Sequence, residues 1–491
     1  MVKTRLTGID VDFSRAGLKE EIPPDSLPWR RADRFVKAMF RGDRVNASED
    51  RPALHMALRW LNSETCPPPF PEQYLGEIKA ERRRMFSFAE EVRQGALKGC
   101  TGKTIDTLVN IGVGGSDLGP RLLVDVFREK IPSGLTVEFA ASMDGIELAR
   151  ILQRIDPESA IFVIASKSFS TVDTLLNAEL ALSLYEHKLG IDRRQALSKH
   201  FAGVSATRKA MTEMGIPCER QFSLWPWVGG RYSVWSSVGL SATSALGKDA
   251  FTEFLAGAHE IDQHVYQTEL HETLPAKMAW FTYQHAVKTG IRHHAVLPYD
   301  YRLALLPRYL MQLEMESNGK RANLTGAPVE GQTGPAITGD VGTLAQHAFM
   351  QHLHQGTDKW AAEFIVIDDF DDEMFNLPKG VLDRLKVSRE WTNVNARAQA
   401  DTLFSFGSTK NSPYHKQVRG DQPNITIHIQ SLNERTLGML LALYEWKTVI
   451  FAALCDINPF DQWGVEQGKK LARQYANEGL ISLNLKRPET S

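Results

Sequence analysis

Apolar positions divide the chain into stretches of different period. The first 60 residues are polar with helical spacing, and Arg51 to Leu61 (RPALHMALRWL) makes an amphipathic run. Pro67-Pro68-Pro69 signals a turn, after which a charged stretch, LGEIKAERRRMFSFAEEVRQG, again has helical character. The middle of the chain alternates. Short runs that are apolar on both faces, Thr107 to Val113 (TLVNIGV) and Ala160 to Ala165 (AIFVIA), each pass through a Gly/Ser/Thr turn into a helix-period segment. A second set follows at His293 to Asp300 (HHAVLPYD) and Glu363 to Phe370 (EFIVIDDF). Such runs suit parallel strands covered by helices on both faces. The pattern predicts two α/β units in tandem, with the boundary near Gly247, before the helical stretch FTEFLAGAHEIDQHVYQ.

One run has nearly the length of a membrane span: GMLLALYEWKTVIFAALCDI, Gly438 to Ile457. Glu445 and Lys447 sit at its centre, where charge is costly in lipid, so a buried helix is expected and no membrane association. Composition agrees: 43% hydrophobic, 24% charged and a formal net charge of −2 describe an ordinary soluble enzyme. So small a charge sets up no field that favours nucleic acid. The four cysteines, Cys66, Cys100, Cys218 and Cys455, have no short spacing. They read as neither a disulfide framework nor a zinc knuckle, and fit a reducing, cytoplasmic setting. The N-terminal residues lack the apolar core of a signal peptide.

Two strand-to-helix turns have the composition of phosphate sites. The first is NIGVGGSDLGP, residues 110–120. It is not a dinucleotide fingerprint, because counting G-x-G-x-x-G from Gly112 puts Asp117 where the third glycine belongs. Nor is there a P-loop, since Gly102-Lys103-Thr104 would need a glycine where Leu97 stands. What remains is a loop whose small residues, Gly115 and Ser116 among them, let an anion approach backbone amides at a helix N-terminus. The second turn, SKSFSTVDTLLNA, puts Ser166, Ser168, Ser170, Thr171 and Thr174 within nine residues. These hydroxyls could merely cap a helix. Beside the first loop they read as a neutral cradle for a phosphomonoester.

Four further stretches hold candidates for chemistry. In QLEMESNGK (312–320), Glu314 and Glu316 are both possible general bases, and their spacing does not choose between them. In VGGRYS (228–233), Arg231 could stabilise a developing oxyanion. QHAFMQHLHQGT (346–357) holds His347, His352 and His354, but no carboxylate or cysteine at metal-ligand spacing. A lone histidine working as acid or base is the better reading. NPFDQWGVEQGKKLA places Lys469 on a helix pattern after an aromatic-rich turn.

These stretches, in this order along about residues 40–475, resemble the glucose-6-phosphate isomerase (phosphoglucose isomerase) family: NIGVGGSDLGP, SKSFSTVDT, VGGRYSVWSSVGL, LPYD, QLEMESNGK, QHAFMQHLHQGT and FDQWGVEQGKKLA. The resemblance implies two SIS-type doubly wound α/β sandwich domains with parallel-rich sheets, at 71–248 and 249–469. A helical N-terminal segment (1–70) and a short C-terminal helical arm (470–491) would flank them. It implies an aldose–ketose isomerase of glycolysis and gluconeogenesis, needing no metal or other cofactor. The expected assembly is a homodimer that shares its sites.

By motif, the resemblance makes Glu316 the base, with Gln312 one helical turn before it. Gly115, Ser116, Ser166, Lys167, Ser168, Thr171, Thr174 and Gln462 become substrate contacts, and Arg231 faces the intermediate. His354, supplied across the interface, and Lys469 would open the sugar ring, with Asp173 supporting the histidine. Three positions depart from the family. Leu344-Ala345 replaces Asn-Gly, Asp173 replaces a glutamate, and Trp446 stands where histidine is more usual.

Overall fold

The protein was analysed as a computed structural model that describes residues 3–60, 67–372, 374–405 and 411–476. Cys66, Leu61 and the part of the C-terminal arm beyond 476 lie outside the described residues. The chain opens on a hairpin, β1 (Lys3–Leu6) and β2 (Ile9–Asp12). Then come β3 (Thr107–Ile111), β4 (Thr136–Ala140), β5 (Ala160–Ala165), β6 (Phe201–Ser205) and β7 (Gln221–Ser223), which form one sheet in the order β4-β3-β5-β6-β7. All its pairs are parallel. A second sheet contains β8 (His293–Pro298), β9 (Ala336–Gly339), β10 (Trp360–Asp369) and β11 (Asn424–Ser431), parallel in the order β9-β8-β10-β11. The hairpin extends it, with β2 antiparallel to β11.

The two halves therefore repeat one strand order. In each, the first strand lies inside the second and the chain then reverses to build outward. Connections diverge between β3 and β5, and between β8 and β10, which leaves a crevice at the carboxyl ends of those strands where α/β proteins bind ligands. Both candidate phosphate loops leave the sheet there: Gly112–Ser116 follows β3 and Ser166–Thr171 follows β5. Every residue of β3, β5 and β6 is buried, which explains why these runs are apolar without alternation.

The N-terminal segment differs from its sequence reading in one respect. Leu27–Phe40 is helical, as the periodicity suggests, but residues 3–12 pair as strands. Two strands of four residues are too short to show a period, and the partner that fixes them, β11, lies some four hundred residues along the chain. Within the run that begins at Arg51, residues 51–60 also depart from a continuous helix. Only His55–Leu58 is helical, as a single 3-10 turn whose residues are all buried.

The long apolar run is a core helix, Glu434–Leu454, buried on all sides from Thr436 to Leu454. It crosses the helix Lys248–Gln267 in backbone contact. A Cβ on Gly438 would come within 2.0 Å of the Phe254 carbonyl oxygen, and one on Gly257 within 1.7 Å of the Arg435 carbonyl oxygen. The central charges of the run are all paired. Glu445 binds the buried Arg59, which also makes two 2.8 Å bonds to Asp262. Trp446 donates its indole N–H to Asp262 at 2.8 Å.

Gly438→Val is expected to destabilise the fold by about 1–3 kcal/mol, because two backbones cannot separate without opening the core. Urea unfolding measures it. Gly76→Ala is the control, since its Cβ would meet no atom within 4 Å, and it should not lower the midpoint.

Candidate active site

The first candidate loop and the segment carrying Arg231 are in backbone contact. A Cβ on Gly115 would lie 1.9 Å from the Gly230 carbonyl oxygen and 2.7 Å from the Arg231 nitrogen, so only glycine lets the loops close. Gly114, at φ +60°, has its missing Cβ 2.8 Å from the Gln312 amide nitrogen. The glycines of the first loop thus bring the end of β3 against both the arginine segment and the turn that carries the two candidate bases. Asp117, which breaks the nucleotide fingerprint, is buried and binds Arg121 at 2.9 Å. Burial raises its pKa. Ser116 heads the helix Gly115–Val126.

The second loop is wound tightly. Phe169 is buried with φ +51°, a strained angle for an aromatic residue, and its amide donates to the Ser166 carbonyl at 3.2 Å. The hydroxyls bond to one another: Ser166 Oγ lies 3.1 Å from Thr171 Oγ1, and Ser170 donates to Ser168 at 2.9 Å. Thr174 Oγ1 is buried and has no hydrogen-bond partner among the described residues. Lys167 Nζ donates to the Pro226 and Val228 carbonyls at 3.0 and 2.8 Å, which ties this loop to the same arginine segment. Burial of its ammonium pulls its pKa down to about 8.

Arg231 is the hub. It is 3% exposed, and Nε donates to Ser317 Oγ at 2.7 Å. Nη1 donates to Gln462 Oε1 at 3.1 Å and lies 3.2 Å from Glu316 Oε2. Nη2 donates to the Pro459 carbonyl and, at 3.1 Å, to the Asp461 carbonyl. Gln312 also donates to Glu316 Oε2, at 3.1 Å. The Glu316 side chain remains a quarter exposed, so the carboxylate is held but open on one side.

Glu314 and Glu316 occupy a π-helical turn, Met311–Glu316, where widened hydrogen bonding splays side chains to different sides. Glu314 faces inward to Lys447, 2.9 Å away, whereas Glu316 faces Arg231. The geometry separates the two carboxylates that spacing left undivided.

Several groups here were not singled out from sequence. Ser317 and Lys320 lie inside the quoted ESNGK stretch. Lys320 Nζ donates to the Glu316 and Asp461 carbonyls, both at 2.7 Å. Tyr232 hydroxyl lies 2.9 Å from Ser317 Oγ, and burial pushes its pKa up to about 12. Asp461 accepts from Ser48 and, at 2.9 Å, from Asn458, which secures the 458–462 loop to the N-terminal segment. Main-chain carbonyls leave no mark in sequence, so the Pro459 and Asp461 acceptors of Arg231 could not have been found there.

Three candidates stand apart within the single chain. His354, on the helix Met350–Gln355, bonds Gln399 at 2.8 Å through Nε2. Lys469 pairs with Glu466 at 2.8 Å on the solvent-facing helix Glu466–Tyr475. Asp173 lies in the first turn of the helix Val172–Leu184, behind the hydroxyl loop. Among the described residues, no group of three or more His, Cys, Asp or Glu side chains is placed to hold a metal ion.

Fold and site together define a doubly wound α/β protein in which glycine- and hydroxyl-rich loops lie beside a carboxylate held by guanidinium. The family model described as Phosphoglucose isomerase matches residues 12–486. A glucose-6-phosphate isomerase of Acinetobacter baumannii is 42% identical over 451 residues, 90% of this chain and 80% of that protein. One from Brucella ovis is 40% identical over 471 residues, 94% of this chain and 84% of its own length. A crystal structure of a glucose-6-phosphate isomerase from Chlamydia trachomatis superposes with a TM-score of 0.81 at 30% identity, covering 97% of this chain and 90% of that one. A hypothetical protein from Thermus thermophilus, 22% identical with a TM-score of 0.68 over 91% of this chain and 94% of its own, shares the fold. The chain belongs to the phosphoglucose isomerase family.

Lys167 gives the cradle a pH dependence. Burial lowers the folded pKa to about 8 from 10.5, so between these values the unfolded chain holds the proton that the folded chain has lost. Stability contributed by this group therefore rises with pH across that window. If Lys167 holds a phosphate ester, anion binding runs the other way, because the ammonium form attracts it. Affinity for a sugar phosphate, measured by calorimetry, is expected to fall above about pH 8, and Lys167→Met to abolish that fall. A fall that persists in the variant would assign it to another group.

Proposed function

We infer that the chain interconverts D-glucose 6-phosphate and D-fructose 6-phosphate, a step of glycolysis and gluconeogenesis, through ring opening and a cis-enediol(ate). The observation that carries this reading is the Glu316 carboxylate, held by Arg231 and Gln312 beside the loop of Gly115 and Ser116. Family membership over most of the chain supports the same reaction.

The chemistry makes two demands. A cyclic sugar must first open, which needs a proton delivered to the ring oxygen and another removed from a hydroxyl. Lys469 and the partner's His354 suit these tasks, with Asp173 orienting the imidazole. A proton must then move between C1 and C2. One carboxylate serves both carbons because they share a face of the enediol(ate), and Glu316 takes this role. Arg231, a permanent cation with its other donors committed to fixed acceptors, stabilises the charge that develops on the oxygens. Gln462 binds the substrate while also fixing Arg231.

The phosphate does not react. Ser116, Ser166, Lys167, Ser168, Thr171 and Thr174 hold it, with Gly115 offering its backbone, and its binding orients C1 and C2 against Glu316. Such positioning is worth several kcal/mol in a reaction of this kind.

The working unit we propose is a homodimer. Two features support it: His354 has no bond to the Arg231 cluster of its own chain, and the surface near it is unusually apolar. On the helix Lys379–Phe404, Val387, Trp391 and Val394 make an exposed stripe at helical spacing, with Trp391 70% exposed. The same helix carries Gln399, the partner of His354.

Glu316→Gln and His354→Ala are each expected to lack turnover of fructose 6-phosphate, followed through a coupled glucose-6-phosphate dehydrogenase. A purified heterodimer of the two contains one intact site, so it should regain about half of the wild-type turnover. No rescue in a verified heterodimer would place His354 outside the partner's site, and turnover by Glu316→Gln alone would remove Glu316 as the base.

A further inference from the structure

Glu314 has no part in the chemistry above, yet it is the buried charge on the turn that carries the base. We propose that the Glu314–Lys447 ion pair is the positioning device that fixes the rotation of the turn Met311–Glu316, and so aims Glu316 at C1 and C2. The proposal rests on Glu316 being the base.

The turn spends its six residues in three directions. Met311 and Met315 are exposed, Gln312 and Glu316 line the site, and only Leu313 and Glu314 face the interior, at 0% and 3% exposure. Packing of Leu313 is non-directional and tolerates a small rotation. The ion pair is directional: Lys447 Nζ donates to Glu314 Oε1 at 2.9 Å from a fully buried position on the helix Glu434–Leu454. Lys447 is itself held from the other side. It donates to Glu363 Oε1 at 2.8 Å, and the Tyr444 hydroxyl donates to Glu363 Oε2 at 2.6 Å. Glu363 belongs to β10, and His294 of β8 lies 3.1 Å from its Oε1. The base-bearing turn is thereby fastened to the middle of the second sheet.

Stability alone does not explain the arrangement. A buried ion pair can often be replaced by apolar residues of similar volume at no cost to the fold, because desolvation offsets the attraction. A directional anchor is what an apolar pair could not supply. On the site side, Gln312 rides on the same turn as Glu316, so its bond to the carboxylate cannot fix the rotation of that turn.

The test uses Glu314→Met, which leaves Lys447 paired with Glu363, and Glu314→Gln, which keeps an acceptor for Lys447. We expect kcat to fall about 10- to 100-fold in Glu314→Met, with KM changed by less than about threefold, and Glu314→Gln to keep most of the turnover. A folded Glu314→Met whose kcat lies within twofold of wild type overturns the proposal. Should Glu314→Met not fold, Glu314→Asp carries the test: it keeps the charge and draws the anchor in by one methylene. A several-fold loss of kcat at unchanged KM supports the proposal, and wild-type kcat overturns it. Glu316→Gln run in parallel separates the two readings. If it retains turnover the base assignment has failed, whereas a dead Glu316→Gln beside a fully active Glu314→Met sinks only the positioning role.

Discussion

Everything in the site is arranged around a single buried guanidinium. Arg231 brings a permanent charge to a place that is 3% exposed, and such a charge must be met by acceptors in fixed positions. It finds them on separate parts of the chain: Glu316 at the end of the π-helical turn and Ser317 just after it, and Gln462 with the Pro459 and Asp461 carbonyls near the C-terminus. Its own backbone abuts Gly115 of the first phosphate loop. The need to satisfy one arginine therefore draws the first glycine loop, Glu316 and the C-terminal loop into one place. Most of its donors go to neutral groups, and Glu316 is its one carboxylate partner among the described residues. A carboxylate so paired can share the arginine's charge with an oxyanion forming beside it.

The frame behind this centre is equally constrained. The helix Glu434–Leu454 fills the core and carries Glu445, Trp446 and Lys447 in succession. Glu445 and Trp446 reach into the Arg59–Asp262 network, and Lys447 reaches the turn that holds the base. Burial pushes Glu445 up to about 7, the mark of a carboxylate in a dry interior despite its arginine. A sequence apolar enough to cross a membrane thus serves as an internal post, and the charges that argued against lipid are its fastening points.

What could be read from the sequence was what is local. The strands after which the cradle loops emerge are buried on both faces, so their apolar runs mark them directly, and Gly115, Ser116 and the Ser166–Thr174 hydroxyls lie in unbroken motifs. Spacing alone did not divide the two candidate carboxylates; the family motif singled out Glu316. Glu314 and Glu316 differ only in which way a π-helical turn points them, and the widened turn breaks the spacing from which direction is usually inferred. Ser317 and the Pro459 carbonyl bind Arg231 across 86 and 228 residues, and Tyr232, beside Arg231, reaches Ser317 across 85. The hairpin Lys3–Asp12 was hidden for the same reason, since β11 holds it in place. Where the single chain leaves His354, Lys469 and Asp173 apart, the motif order of the family, and no spacing, is what relates them.

The central claim is that a carboxylate on this turn carries a proton between two carbons. Its most direct measurement is the conversion of fructose 6-phosphate in heavy water, with the glucose 6-phosphate product examined by NMR for deuterium at C2. A proton resting on Glu316 can exchange with solvent before it is returned, so the account predicts that deuterium enters C2 during turnover. Glucose 6-phosphate that stays free of deuterium at C2, even after repeated turnover to equilibrium, would contradict a proton carried by a carboxylate open to solvent.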